Sequence, residues 1–458
     1  MRARGLLALL ASLGAALAVA GTAAADGGKL VVDDDKAQCP NAQFTTIQAA
    51  VTAAQPGDEI RVCAGTYTAT TVDKSLKLRG TTEVGKDRRC LDRTTGENPA
   101  TDAIVNGAAG APGFRVVAND VRIRGFTVQN ATNDAGISLS KAHSGYDVRE
   151  NLIQENTFGV YLNSSGEKRS RVERNCFRDN NRPGSAAGNG VYSDQGVKRA
   201  EVEKNVFTGH ENAAMIFVGP RDTQSGLKLN RNLLTDDGPI ILAKVTKSEV
   251  SRNVSLKSKG SGIFFGGDVS HVRVKKNVLR DGAFTGINLR TDSASYGTTG
   301  PNTDNVIEGN RVSGFGDAGI RLREGATKNV VRGNRLARNG TGAEGDGISL
   351  ENADNNLVRG NRSEANRRDG LRADAASSGN RIERNRMTGN REHDCHDDST
   401  GAGTAGTANV WRGNRGATEN RRGLCRPKGN GNDDDDHHDD DDDDDDDDKG
   451  KGKGKGNG

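Results

Sequence analysis

The stretch VSRNVSLKSKGSGIFF (residues 250–265) returns as VKKNVLRDGAFTGINL (residues 274–289), and this return decides the fold. Each copy sets an aliphatic residue three places before an asparagine, Val250 before Asn253 and Val274 before Asn277. A short apolar segment follows, and then a glycine opens an alternating triplet, Ile263-Phe264-Phe265 or Ile287-Asn288-Leu289. Such alternation is the period of a half-buried strand, with Ile287 and Leu289 inward and Asn288 outward. The runs are too short and too punctuated by glycine for helices.

Working outward, the asparagine recurs at Asn151, Asn175, Asn205, Asn232, Asn253, Asn277, Asn310, Asn334, Asn361, Asn385 and Asn414. Four of the intervals are 24 residues, and longer ones place insertions in loops. A fixed period of this size means a solenoid. Coils stacked at the inter-strand spacing of ~4.8 Å set each asparagine above the next, where the amides can satisfy buried turn backbone. The fold expected is all-β: a single-stranded right-handed parallel β-helix of about 12 coils over residues 26–426. Composition agrees. Hydrophobic content is 33%, aromatic content 4%, and there are 61 glycines, little apolar mass for a compact globule of this length. A solenoid buries only a thin strip per coil.

The two ends differ from the repeat. Arg2 and Arg4, the apolar run from Leu6 to Val19 and Ala23-Ala24-Ala25 before Asp26 read as a signal peptide over residues 1–25. The apolar run is short for a membrane span, which needs about 20 residues, so a secreted, unanchored chain is expected. Phe44 to Val51 reads as a capping helix opened by Thr45 or Thr46 and ended by Pro56-Gly57-Asp58, with a strand from Glu59 to Cys63. Residues 427–458 are low-complexity and read as a disordered tail. Fourteen aspartates between Asp433 and Asp448 stand there against five lysines. That leaves the tail nine units negative and the rest twelve positive, for the net +3. The aspartates suit loose Ca²⁺ binding, and His437 with His438 a transition metal; a plain solubility tail is the alternative.

All six cysteines follow the cleavage site, and an even count in an exported chain favours disulfides. Chain proximity suggests Cys39 with Cys63 and Cys395 with Cys425. Cys90 and Cys176 remain, as a third pair or as two free thiols.

The segment FTTIQAAVTAAQPGDEIRVCAGTY (residues 44–67) is similar to the N-terminal part of pectin methylesterases and of bacterial β-helix repeat proteins. The coils downstream resemble the pectate-lyase-like superfamily, over roughly residues 26–426. The catalytic signatures are missing: Gly262-Ile263-Phe264-Phe265-Gly266 lacks the aspartate of the methylesterases, and the Asp-Pro-His-Glu motif of mannuronan epimerases does not occur. The resemblance implies a substrate groove over the outer face of the Gly-Ile-x-Leu strand. Its outward residues would be Ser138, Tyr161, Tyr192, Ile216, Ile241, Phe264, Asn288, Arg321, Ser349 and Arg372, with Tyr161 to Phe264 an exposed apolar strip. Tyr161, Tyr192, Phe264 and Asn288 are the candidate sugar-binding residues.

Asp268 and Asp292 each lie six residues after the glycine of consecutive coils, Gly262 and Gly286. Stacked carboxylates suit Ca²⁺, the cofactor expected here, or a coupled acid and base. Arg290, Arg321 and Arg323 lie alongside. In a β-elimination, Arg290 or Arg323 would abstract the proton α to a uronate carboxylate that Arg321 binds. Arg311, Arg335, Arg362, Arg386 and Arg415 each follow a ladder asparagine and form a basic column. For an exported, aromatic-poor chain that column points to an acidic polysaccharide, with no nucleic acid and no membrane as partner; a merely solvated face is the plain alternative. His393 to Asp398 holds metal-ligand residue types without a recognised spacing and reads as a loop around a disulfide. The function expected is a monomeric secreted protein acting on or binding acidic polysaccharide, as a lyase if catalytic. The alternative is a non-catalytic surface or matrix scaffold.

Overall fold

The computed structural model describes residues 28–84, 90, 97–340 and 344–425. The expected signal peptide and acidic tail lie outside the described residues. Within them the chain forms three long sheets of 15, 13 and 13 strands. Sheet one takes the strand ahead of each ladder asparagine, such as Glu249–Ser251 and Arg273–Lys275. Sheet two takes the strand just after it, Val254–Leu256 and then Val278–Arg280. Sheet three takes the Gly-Ile-x-Leu strand, Ile263–Phe265 and then Ile287–Leu289. Equivalent residues of the two coils face each other in parallel register: Val250 with Val274, Val254 with Val278, and Ile263 with Ile287. Inward residues such as Val250, Leu279, Phe265 and Leu289 are fully buried and belong to one continuous core.

The expected asparagine ladder runs unbroken. From Asn151 to Asn414 each side-chain amide donates to the carbonyl oxygen of the next, at 2.9–3.1 Å. Each such oxygen also accepts the backbone N–H of the asparagine before it, as Asn277 does from Asn253 at 2.9 Å. The residue ahead of the asparagine turns the corner in the left-handed region, at φ 53° for Arg252 and Lys276. Later coils put Gly309, Gly333 and Gly360 at that place, at φ 60–63°, where a side chain costs most.

Two further ladders were not read from the sequence. Asn305, Asn329, Asn356, Asn380 and Asn409 stack at the corner ahead of sheet one. At the corner between sheets two and three, Asn156 donates to Asn180. There its first run ends on the buried pair His210 and Asp237, 2.6 Å apart, and a second run links Asn339, Asn366 and Asn390.

The capping helix α1 spans Ile47–Ala53, and Thr46 Oγ1 accepts the Ala49 N–H as its N-cap. It starts later than expected because Phe44 is held in a β-bridge with Val32. Ile47, Ala50 and Val51 close the core at this end. The strand Lys29–Val32, also missed, forms the edge of sheet one beside Glu59–Val62. At the other end Trp411 donates its indole N–H to Asp397 at 2.7 Å, and Leu424 and Cys425 are buried. All six cysteines are paired: Cys39–Cys63, Cys90–Cys176 and Cys395–Cys425. Among the described residues no helix is long and apolar enough to cross a membrane.

Candidate functional site

Sheet three carries the expected outward row in perfect register. Tyr161 faces Tyr192, Tyr192 faces Ile216, and the row continues through Ile241, Phe264 and Asn288 to Arg321, Ser349 and Arg372. Its apolar part is less exposed than expected. Ile216 and Ile241 are each only 5% exposed, and Phe264 lies against Tyr296 with ring centroids 6.1 Å apart. Tyr296 ends α2, Ser293–Tyr296, a short helix within the 291–305 insertion, so the insertion covers this part of the strip. Further along, Tyr161 and Tyr192 stack at 5.7 Å and 18°, with Phe158 edge-on to both. Both hydroxyls donate to Asp194, that of Tyr192 at 3.0 Å. Burial, together with the Asp194 carboxylate, pushes both phenols above their usual range.

Asp268 and Asp292 take separate partners. The insertion breaks the register just where the two were expected to stack: the Asp268 N–H donates to Gly300 O, and the Asp292 N–H to Gly266 O. Each carboxylate is occupied locally. Asp292 is the N-cap of α2 and accepts the Ser295 N–H at 3.0 Å. Asp268 accepts the Thr299 N–H at 2.9 Å and pairs with Arg221 at 2.7 Å. Partial burial alone would raise the Asp268 carboxyl, but the amides of Thr299 and Gly300 and the Arg221 guanidinium hold it below its usual value.

The three arginines expected to do chemistry are neutralised by glutamates. Arg321, with its side chain 8% exposed, pairs with Glu344 and with Glu351 at 2.6 Å. Arg323 meets Glu351 at 3.0 Å, and Arg290 lies 3.5 Å from Glu324. Arg321 is therefore a buried ion-pair centre and not an open carboxylate receptor. Asn288 keeps a buried Oδ1 without a hydrogen-bond partner among the described residues.

The basic column on sheet two is as open as the sequence implies. Arg311 faces Arg335, Arg335 faces Arg362, Arg362 faces Arg386, and Arg386 bridges to Arg415. All five are exposed. Among the described residues only Arg362 of the five has a carboxylate partner, Glu364. Arg311, Arg335 and Arg362 of the column, with Arg280 and Arg338, line a shallow groove of about 600 Å³, in which Asp281 and Glu364 are the acids. Guanidinium groups stacked at strand spacing repel one another by about 1 kcal/mol per neighbouring pair in water. A bound polyanion would relieve that repulsion.

Upstream the same row is apolar: Leu152, Cys176, Val206, Leu233, Val254 and Val278 stack in register. Leu152 and Cys176 are covered by Val84 and Cys90, and the Cys90–Cys176 disulfide fixes that cover. The groove is thus confined to the second half of the solenoid.

Residues 261–417 match the family described as right handed beta helix region, and residues 32–222 match one described as protein of unknown function (DUF1565). The chain is a right-handed parallel β-helix protein. No curated protein sequence matches it. Solved structures similar to this β-helix include the A-module of a mannuronan C-5 epimerase from Azotobacter vinelandii. It is 14% identical, with 84% of this chain and 91% of that chain covered and a TM-score of 0.40. The pectate lyase Pel9A is 12% identical, with coverage of 84% and 79% and a TM-score of 0.31. The catalytic domain of a GH87 α-1,3-glucanase, solved with tetrasaccharides, is 12% identical, with coverage of 81% and 67% and a TM-score of 0.49. These likenesses are of fold alone.

Proposed function

We propose that this β-helix is a secreted protein that binds an acidic polysaccharide along the arginine column of sheet two. The observation that carries the reading is the register of Arg311, Arg335, Arg362 and Arg386, exposed and, apart from Arg362, without a carboxylate partner among the described residues. A row of guanidinium groups repeating once per coil offers paired donors at a pitch on the order of one monosaccharide, and arginine binds carboxylates bidentately. Three disulfides suit an oxidising compartment. Binding is favoured over β-elimination because Arg290, Arg321 and Arg323 each already face a glutamate, leaving no unpaired arginine among them to serve as base or receptor.

The test is the affinity of the full chain for polygalacturonate at low and high salt, against the Arg335→Ala/Arg386→Ala variant. About tenfold weaker binding by the variant at low salt, narrowing as exposed charges are screened, is expected. Equal binding by both proteins at low salt overturns the reading. Appearance of an unsaturated, ultraviolet-absorbing product would restore the lyase.

A further inference from the structure

At the C-terminal end of sheet three, on a different face from the arginine column, two histidines converge on one buried aspartate. Asp369 precedes the strand Leu371–Ala373, and His396 lies within the next strand, Cys395–Asp397, directly beside Arg372. His393 Nδ1 is 3.2 Å from Asp369 Oδ1, and His396 Nδ1 is 3.0 Å from Asp369 Oδ2. The three ligand atoms lie within 4.8 Å of one another. Asp369 is fully buried, whereas His393 and His396 are partly exposed, which leaves a path to solvent.

Two observations separate this cluster from an ordinary salt bridge. Asp369 Oδ2 and His396 Nδ1 are buried facing each other at 3.0 Å, but out of alignment for a well-formed hydrogen bond, and neither has another hydrogen-bond partner among the described residues. With Arg372 Nε beside them, the cluster holds three of the ten such atoms found among the described residues. Unpaired buried polar atoms are rare, so their concentration here needs a cause. The second observation concerns the far side of the His396 ring. Its Nε2 lies 2.8 Å from Asp398 Oδ1, and Asp398 is itself held by Arg372 at 2.9 Å. A carboxylate behind a histidine fixes the tautomer that leaves the opposite nitrogen free to ligate, as in carboxylate–histidine–zinc arrangements.

The charge around the cluster is also that of a cation site. Asp346, Asp369, Glu392 and Asp398 supply four carboxylates against the two guanidinium groups of Arg368 and Arg372. Two nitrogens and an oxygen with one position open to solvent suit Zn²⁺, whose ligand bonds of ~2.0–2.2 Å match atoms drawn this close.

We propose that Asp369, His393 and His396 form a Zn²⁺ site that ties together the last coils of the solenoid. Asp398 positions His396, and the ion and the Cys395–Cys425 disulfide secure the same end. Ligands contributed by two consecutive coils make metal binding part of folding stability.

Co²⁺ is the probe, because tetrahedral coordination gives intense visible bands that added Zn²⁺ then erases. The full chain is compared with the His437→Ala/His438→Ala variant, which removes the histidines of the acidic tail, and with His396→Ala and His393→Gln. The bands and a Zn²⁺-dependent rise in melting temperature are expected in the full chain and in the tail variant. Each site variant is expected to weaken Zn²⁺ binding by about tenfold or more. Loss of the bands in the tail variant overturns the proposal, and that result does not depend on the folding of any site variant. Undiminished binding by the partly exposed His393→Gln variant overturns it equally.

Discussion

The side-chain amide of Asn253 donates to the carbonyl oxygen of Asn277 at 3.0 Å, and to the backbone oxygen of Leu229 at 2.9 Å. Its own oxygen accepts the N–H of Asn232 at 3.0 Å. One side chain thus satisfies groups on the coil before its own and on the coil after it. Asn253→Leu leaves them buried and unpaired, at about 1–3 kcal/mol per group. A loss of roughly 3 kcal/mol or more is expected from urea unfolding followed by circular dichroism. A change under about 1 kcal/mol would mean that water replaces the ladder.

The ladder and the outward row of sheet three were legible because stacking fixes the period: one asparagine per coil determines every register between insertions. Legibility ended where the period broke. Asp268 and Asp292 look equivalent by counting from Gly262 and Gly286, but the 291–305 insertion replaces the next layer with Gly300. Glutamates that neutralise the arginines lie at varied offsets, Glu351 on the neighbouring strand and Glu344 in the turn before it. For the Asp369 cluster a signal was present. Asp346-Gly347 and Asp369-Gly370 repeat ahead of consecutive strands, with the Gly347 N–H donating to Asp369 O and the Gly370 N–H to His393 O. That stacking puts His393 in the aspartate row, whereas read alone the segment looked like a loop.

Cys90 and Cys176 are 86 residues apart and pin the cover over Leu152. Closing so long a loop restricts the unfolded chain, and a stabilisation of about 2–4 kcal/mol is expected. The Cys90→Ser/Cys176→Ser protein should lose that much in denaturant unfolding. An unchanged midpoint would show that the apolar contacts hold the cover unaided.

The Tyr161 and Tyr192 hydroxyls share one carboxylate, so the Asp194→Asn variant removes a negative charge beside both. Burial remains the larger cause of their raised pKa values. The phenols should therefore titrate at lower pH in the variant, though still above an ordinary tyrosine near 10. Ultraviolet titration of the two proteins reads this directly. Identical curves would place Asp194 away from the phenols in solution.

Asp268 offers a pH-dependent test of whether its carboxylate is structural. Its folded pKa lies below the ordinary value, so the ionised form is bound more tightly in the folded than in the unfolded chain. Its contribution is present above the ordinary aspartate range near 4 and fades as pH falls through and below that range. Asp268→Asn should lower the melting temperature at pH near 7, and the difference from the native protein should shrink as the pH approaches 3. Most of the effect should come from the Thr299 and Gly300 amides, because the Arg221 guanidinium is largely exposed and its pairing is screened. Arg221→Ala should therefore change little. Asp292→Ala removes the N-cap of α2 and should cost about 1 kcal/mol at neutral pH. Calcium supplies the contrast. Were the two aspartates to share an ion, Ca²⁺ would raise the melting temperature of the native protein and of neither variant. The separate partners of Asp268 and Asp292 predict the same response to Ca²⁺ in all three.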